Sequence, residues 1–169
     1  PNLQNISTRD EESKEIRKAF HYADPSKKIL SLDYSQIELR VLASLSHCQS
    51  YIDVFRSGRD VHSETARKIF GVPEGEEVPH ELRRKAKAIN FAIMGGTPQE
   101  ASKVIASFYA AYPEIGDYLS ATLEEGEKKG YVTTMLGRRR YLPELKDANY
   151  VKREAAKRAA LNAPVQGSA

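Results

Sequence analysis

Apolar residues recur at helical spacing through most of the 169-residue chain, which predicts a series of amphipathic helices with little strand. In QIELRVLASLS, Ile37, Val41 and Leu45 share one face. SYIDVFRSG reads as a second short helix stopped by Gly58. Asp60 can cap the next, VHSETARKIFG, which Gly71 ends. VPEGEEVPHE, with two prolines and Gly75, is a loop. ELRRKAKAINFAIM then forms one helix, with Leu82, Ala86, Ile89 and Ile93 as its apolar face. Gly95-Gly96 breaks it. TPQEASKVIASFYAAYP starts another, with Thr97 at the N-cap, Pro98 in the first turn and Glu100 at the capping-box position. EIGDYLSATLEEGEKKG continues as helix to Gly130, and YVTTMLGRRRYLPEL alternates around Gly137 as a hairpin does. NYVKREAAKRAALNAPVQ is a final helix ending near Pro164. At the front, PNLQNIS is polar and turn-like. KKILSLDYSQ predicts a short buried strand of Ile29, Leu30 and Leu32 ending at Asp33. The expected fold is mixed α/β (α+β) and helix-dominated.

Composition narrows the class. With 40% hydrophobic and 29% charged residues, the chain fits a soluble globular domain or a compact piece of a larger one. A net charge of +3 does not by itself argue for nucleic acid, so the distribution of charge has to decide. The single cysteine, Cys48, excludes an internal disulfide and a cysteine-based zinc site, and suits a reducing, intracellular setting. No apolar run approaches the roughly 18 residues of a membrane helix, and the polar opening residues are not a signal peptide. Both ends read as cut: Pro1 is no initiator, and PVQGSA directly follows a helix.

The candidate chemistry lies in a few segments. Arg83, Lys87 and Phe91 stand at i, i+4 and i+8, opposite the apolar face of their helix. Two cations and a ring in a row can grip a nucleotide's phosphates and its base or sugar; the alternative is a solvated basic face with a half-buried ring. Asp33 at a strand end can hold magnesium, which takes one or two carboxylates plus phosphate oxygens, or can simply cap a turn. Glu38 is either a contact to a sugar or an exposed helix glutamate. His62 is either a donor to phosphate or a packed histidine. Arg138, Arg139 and Arg140 at the hairpin suit phosphate-backbone contact, as do Lys152, Arg153, Lys157 and Arg158 on the last helix, and Phe108, Tyr141 and Tyr150 could interleave with them.

DYSQIELR resembles the first catalytic motif of family A DNA polymerases, the bacterial DNA polymerase I type, and RRKAKAINF resembles their nucleotide-binding motif. PNLQNI, GRRRYLPEL and PVQGSA are similar to further stretches of that family in the same order, so the resemblance covers essentially the whole chain. It implies that Asp33, helped by the Tyr34 carbonyl, coordinates two catalytic magnesium ions. Glu38 becomes the gate against a ribose 2′-hydroxyl. His62, Arg83 and Lys87 hold the triphosphate, with Lys87 also catalytic. Phe91 packs on the sugar and base and discriminates against dideoxynucleotides. Gln4, Asn5, Arg138 and Gln166 touch primer or template. The implied organisation is a palm segment over 1–45, fingers over 46–130 with the nucleotide-binding helix at 80–94, and a return toward an incomplete antiparallel palm sheet over 131–169. The implied activity is nucleotidyl transfer from a dNTP to a primer 3′-hydroxyl, by a cytoplasmic monomer that binds primer–template DNA and no membrane, in a bacterial or phage-infected cell or an organelle.

Two departures qualify this. The family's second metal-binding aspartate sits in a His-Asp-Glu segment, and none of His21, His47, His62 and His80 is followed by Asp. The fingers motif continues as NFAIMGGTPQE, with Ala92 and Gly95 in place of the family's glycine and tyrosine and a shorter stretch after them. The expectation is that the chain alone extends primers poorly. The rivals are a non-catalytic nucleotide- or DNA-binding module and an RNA-copying relative.

Overall fold

The computed structural model describes residues 11–95 and 102–169, except 22 and 31. The expected N-cap Thr97, Pro98 and Glu100, and the expected DNA contacts Gln4 and Asn5, lie outside the described residues. The chain divides into two compact units, 1–35 and 36–169.

In the first unit α1 (Glu11–Arg17) is a helix the apolar pattern does not predict. Its charges make the short-range pairs Lys14–Glu11 and Lys18–Glu15, which support an exposed helix only weakly. The strand expected at KKILSL is absent: 27–30 and 32–33 have no regular structure, and Leu30 and Leu32 are 79% and 85% exposed. The reason is that a helix satisfies its backbone from within, whereas a strand needs a neighbour for its N–H and C=O groups. Among the described residues nothing pairs with this segment.

The second unit holds α2 (Ile37–Leu45), α3 (Gln49–Arg56), α4 (Val61–Phe70), α5 (His80–Gly95), α6 (Ser102–Ala111) and α7 (Pro113–Lys129). It continues with strands β1 (Tyr131–Thr133) and β2 (Arg139–Tyr141), a 3-10 turn (Pro143–Lys146) and α8 (Tyr150–Gln166). The strands pair antiparallel, with Tyr131 opposite Tyr141 and Thr133 opposite Arg139, as the alternation around Gly137 predicts.

Two apolar cores organise this unit. The larger gathers Leu39, Leu42, Tyr51, Val61, Ile93, Phe108, Tyr112 and Ile115. Phe108 is therefore a core residue, 1% exposed, and does not interleave with the basic surface. Tyr51 stacks edge-on against Tyr112 at 4.7 Å. The smaller core joins Val132, Leu142, Leu145, Ala156 and Ala160 under the hairpin. α8 serves both, with Ala156 and Ala160 in the smaller and Val165 in the larger. It ends at Gln166, near Pro164, as the sequence predicts. Asn149 caps its start by accepting from the Val151 and Lys152 amides.

Candidate functional site

α4 and α5 pack together, and their contact assembles most of the expected nucleotide grip. α4 begins at Asp60, which accepts from the Ser63 amide at 2.9 Å and the Ser63 hydroxyl at 2.6 Å, and ends at Gly71 with φ 70°. Asp60 has a second task. Arg83 donates to it through Nε at 2.8 Å and through Nη2 at 3.0 Å, a two-pronged guanidinium–carboxylate pair. Burial alone would raise the Asp60 carboxyl. The hydrogen bonds from Arg83 and Ser63 and the charge of Arg83 outweigh it and hold Asp60 well below the usual carboxylate range. The hydrogen bond to Asp60 likewise pushes Arg83 up.

Along the exposed face of α5, Arg83 is followed by Lys87, which is exposed, and Phe91, which is 44% exposed. The Phe91 ring lies 6.0 Å from the His62 ring. His62 is 2% exposed, so the structure places it as a packed residue lying beside the stripe. Burial pushes its imidazole down; Asp60 opposes this, while Arg83 and Lys87 reinforce it. The net effect favours the neutral ring.

Beneath the stripe runs a buried polar network that the sequence reading missed. Asn90 is 1% exposed; its Nδ2 donates to His62 Nδ1 at 2.9 Å and to Thr65 Oγ1 at 3.2 Å. Its Oδ1 accepts from the Tyr51 hydroxyl at 3.0 Å. Thr65 donates onward to the Val61 carbonyl at 2.8 Å. The signal was available: Asn90 falls between Ala86 and Ile93 on the apolar face of α5, and a polar side chain at a core position implies a buried partner. The Asp60–Arg83 pair, 23 residues apart in the chain, had no such signal.

The remaining candidates lie elsewhere. Glu38 is half-buried in the first turn of α2. Asp33 and Tyr34 belong to the first unit and are exposed. Among the described residues no group of three or more His, Cys, Asp or Glu side chains is placed to hold a metal ion. Asp33 offers one open carboxylate. That suits magnesium as a single ligand, because this ion fills most of its sphere with water and phosphate oxygens.

A groove of about 420 Å³ brings Arg138, Arg139 and Arg140 together with Gln166. Arg138 sits past the hairpin turn, where its amide donates to Thr134 Oγ1 at 3.1 Å, and Gln166 is exposed at the end of α8. The hairpin is moored to α8 by the Met135 amide, which donates to Ser168 Oγ at 2.9 Å. Gly167 makes this approach possible. A Cβ there would lie 2.7 Å from both the Ala163 carbonyl oxygen and Thr134 Cγ2, closer than real Cβ contacts come. On α8, Lys152 pairs with Asp147 at 3.9 Å and Lys157 with Glu154 at 3.0 Å, and Arg153 lies 5.7 Å from the Tyr150 ring.

Comparison with known proteins bears on the family and the fold. The profile of DNA polymerase family A matches residues 1–169. DNA polymerase I of Geobacillus stearothermophilus is 45% identical over an alignment of 181 positions covering 100% of the chain and 20% of that protein. The thermostable DNA polymerase I of Thermus aquaticus is also 45% identical, covering 100% of the chain and 22% of that protein. The chain thus spans about a fifth of the length of these relatives. Among solved structures, the POL domain of Pol1 from M. smegmatis in complex with DNA primer-template and dNTP superposes with a TM-score of 0.87 at 42% identity. That match covers 99% of the chain and 32% of the Pol1 chain.

Proposed function

The chain belongs to DNA polymerase family A, and on that premise we propose that it is the nucleotide- and DNA-gripping part of a DNA-directed DNA polymerase. The reaction is template-dependent nucleotidyl transfer from a dNTP to a primer 3′-hydroxyl. The observation that carries this reading is the α4–α5 cluster: Arg83, Lys87 and Phe91 in a row, with His62 beside them. Arg83 and Lys87 would take the triphosphate, and their charge would favour the negative charge that develops on it during transfer. Phe91 would pack on the sugar and base, and Glu38 would exclude a 2′-hydroxyl. Arg138 and Gln166 would follow the primer–template backbone along the groove, with Gln4 and Asn5 as further DNA contacts.

Residues 1–45 are assigned to the palm, 46–130 to the fingers and 131–169 to the return toward the palm. Asp33, with the Tyr34 carbonyl, would be this chain's contribution to holding two magnesium ions. When bound, such ions activate the attacking hydroxyl and stabilise the leaving oxygen. The same reading puts the protein in the cytoplasm as a monomer.

Calorimetric titration of the chain with dTTP and Mg²⁺ tests this. Lys87→Ala is expected to weaken binding roughly tenfold or more, the value of a charge-assisted contact. Unchanged binding would remove the stripe from the site. Binding indifferent both to magnesium and to Asp33→Ala would favour a non-catalytic nucleotide-binding module.

A further inference from the structure

Four side chains at the α3–α4–α5 junction are almost wholly buried: Tyr51 at 1%, Thr65 at 0%, Asn90 at 1% and His62 at 2% exposure. Their hydrogen bonds have a direction, and it starts from the backbone. The Thr65 hydroxyl has one hydrogen, and it goes to the Val61 carbonyl at 2.8 Å. Toward Asn90, Thr65 Oγ1 can therefore only accept, which turns the NH₂ end of the Asn90 amide to it at 3.2 Å. The Tyr51 hydroxyl fixes the other end by donating to Oδ1 at 3.0 Å. The second hydrogen on Nδ2 then points at His62 Nδ1, 2.9 Å away. That nitrogen must present a lone pair, so the ring's proton is on Nε2. No described residue engages Nε2. Asp60, Arg83 and Lys87 act electrostatically on the ring, and Phe91 of the stripe lies 6.0 Å from it.

We propose that Asn90 is a positioning residue. Oriented by Thr65 and Tyr51, it holds His62 as the Nε2–H tautomer and so presents a hydrogen-bond donor to a phosphate oxygen of the bound nucleotide. This rests on the nucleotide reading of α5 and adds to it the device that aims the histidine. A histidine in the other tautomer would turn a lone pair toward an anion and repel it. The lock removes that state before any ligand arrives.

Long-range ¹H–¹⁵N NMR of the labelled chain reads the two ring nitrogens of His62 directly. The wild-type protein is expected to show a protonated Nε2 and an unprotonated Nδ1 without nucleotide. Asn90→Asp replaces the donor with an acceptor and should move the proton to Nδ1. Thr65→Val frees the amide and should give both tautomers, while Thr65→Ser keeps the hydroxyl and should restore the wild-type pattern. The Thr65 pair carries the test if the Asn90 variant fails to fold. If a fraction f of His62 remains Nε2–H, the apparent Kd for dTTP rises by 1/f, about twofold for an equal mixture. A wild-type proton on Nδ1, or a tautomer indifferent to both Asn90→Asp and Thr65→Val, would overturn the proposal. So would His62 resonances that stay still while dTTP saturates the protein, because the histidine would then serve packing alone. If the wild-type chain binds no dTTP, the nucleotide reading fails and the phosphate role of His62 falls with it; the spectrum of the free protein still reports the lock separately.

Discussion

In the α4–α5 pair, Arg83 is taken by two nitrogens onto Asp60, and the polar atoms below it are paired one by one into the core. In the hairpin against α8, Arg138, Arg139 and Arg140 are exposed, and no carboxylate forms a salt bridge with any of them among the described residues. The hairpin is kept in place by strand pairing, the burial of Val132 in the smaller core, one hydrogen bond to Ser168 and the missing side chain of Gly167. The first region fixes where its groups point. The second fixes where its backbone runs and lays Arg139 over the Tyr131 ring at 4.9 Å, while Arg138 and Arg140 have no carboxylate partner among the described residues. Such a difference suits two kinds of partner: a small triphosphate read by directed contacts, and a long polyanion met by a field of positive charge.

The comparison can be broken most severely at Gly167. Gly167→Ala places a methyl against the Ala163 carbonyl and Thr134, and should cost about 2 kcal/mol, as overpacking against backbone does. A urea midpoint lowered at constant slope would show it. A variant as stable as the wild type would mean the hairpin adapts and is not moored there.

Asp60→Asn tests the other region. Asparagine caps a helix about as well as aspartate, so the loss isolates the Arg83 pair and should be about 1 kcal/mol at neutral pH. The sign with pH follows from the depressed carboxyl of Asp60. Its contribution is complete above the unfolded value near 4 and fades as pH falls below that toward the native value. The gap between wild type and variant, measured by urea unfolding at pH 7 and pH 3, should therefore narrow at the lower pH.

The smallest effect on stability is expected from Arg138→Ala, within about 0.5 kcal/mol for an exposed position. Its mark should instead be on DNA affinity, whose dependence on salt loses about one unit of slope. A larger stability loss would show that the hairpin arginines are structural after all.

What could be read from the sequence divides along the same physical line. α4 was readable because Asp60 and Gly71 mark its ends, and α5 because Arg83, Lys87 and Phe91 stand opposite Leu82, Ala86, Ile89 and Ile93. Both signals are local, since a helix is defined by its own near neighbours. The segment around Leu30 and Leu32 misled because the same apolar run predicts a strand only where a partner strand exists. α8 was readable to its end near Pro164, two residues before Gln166 closes it. The Asp60–Arg83 pair and the Tyr51–Asn90 contact join residues 23 and 39 positions apart, a separation that periodicity does not report.

Asp60 gives the molecule a property that neither helix has alone. It is an anion tethered beside the cation that other anions would seek, so it is a permanent internal competitor for Arg83. On the proposed nucleotide reading, an arriving phosphate would not meet a bare guanidinium: Asp60 already holds Nε and Nη2, and the remaining N–H donors are left for the ligand. A triphosphate that also engaged Lys87 would add a second charged contact to the one that Arg83 offers. One carboxylate would thus set which edge of Arg83 a ligand meets.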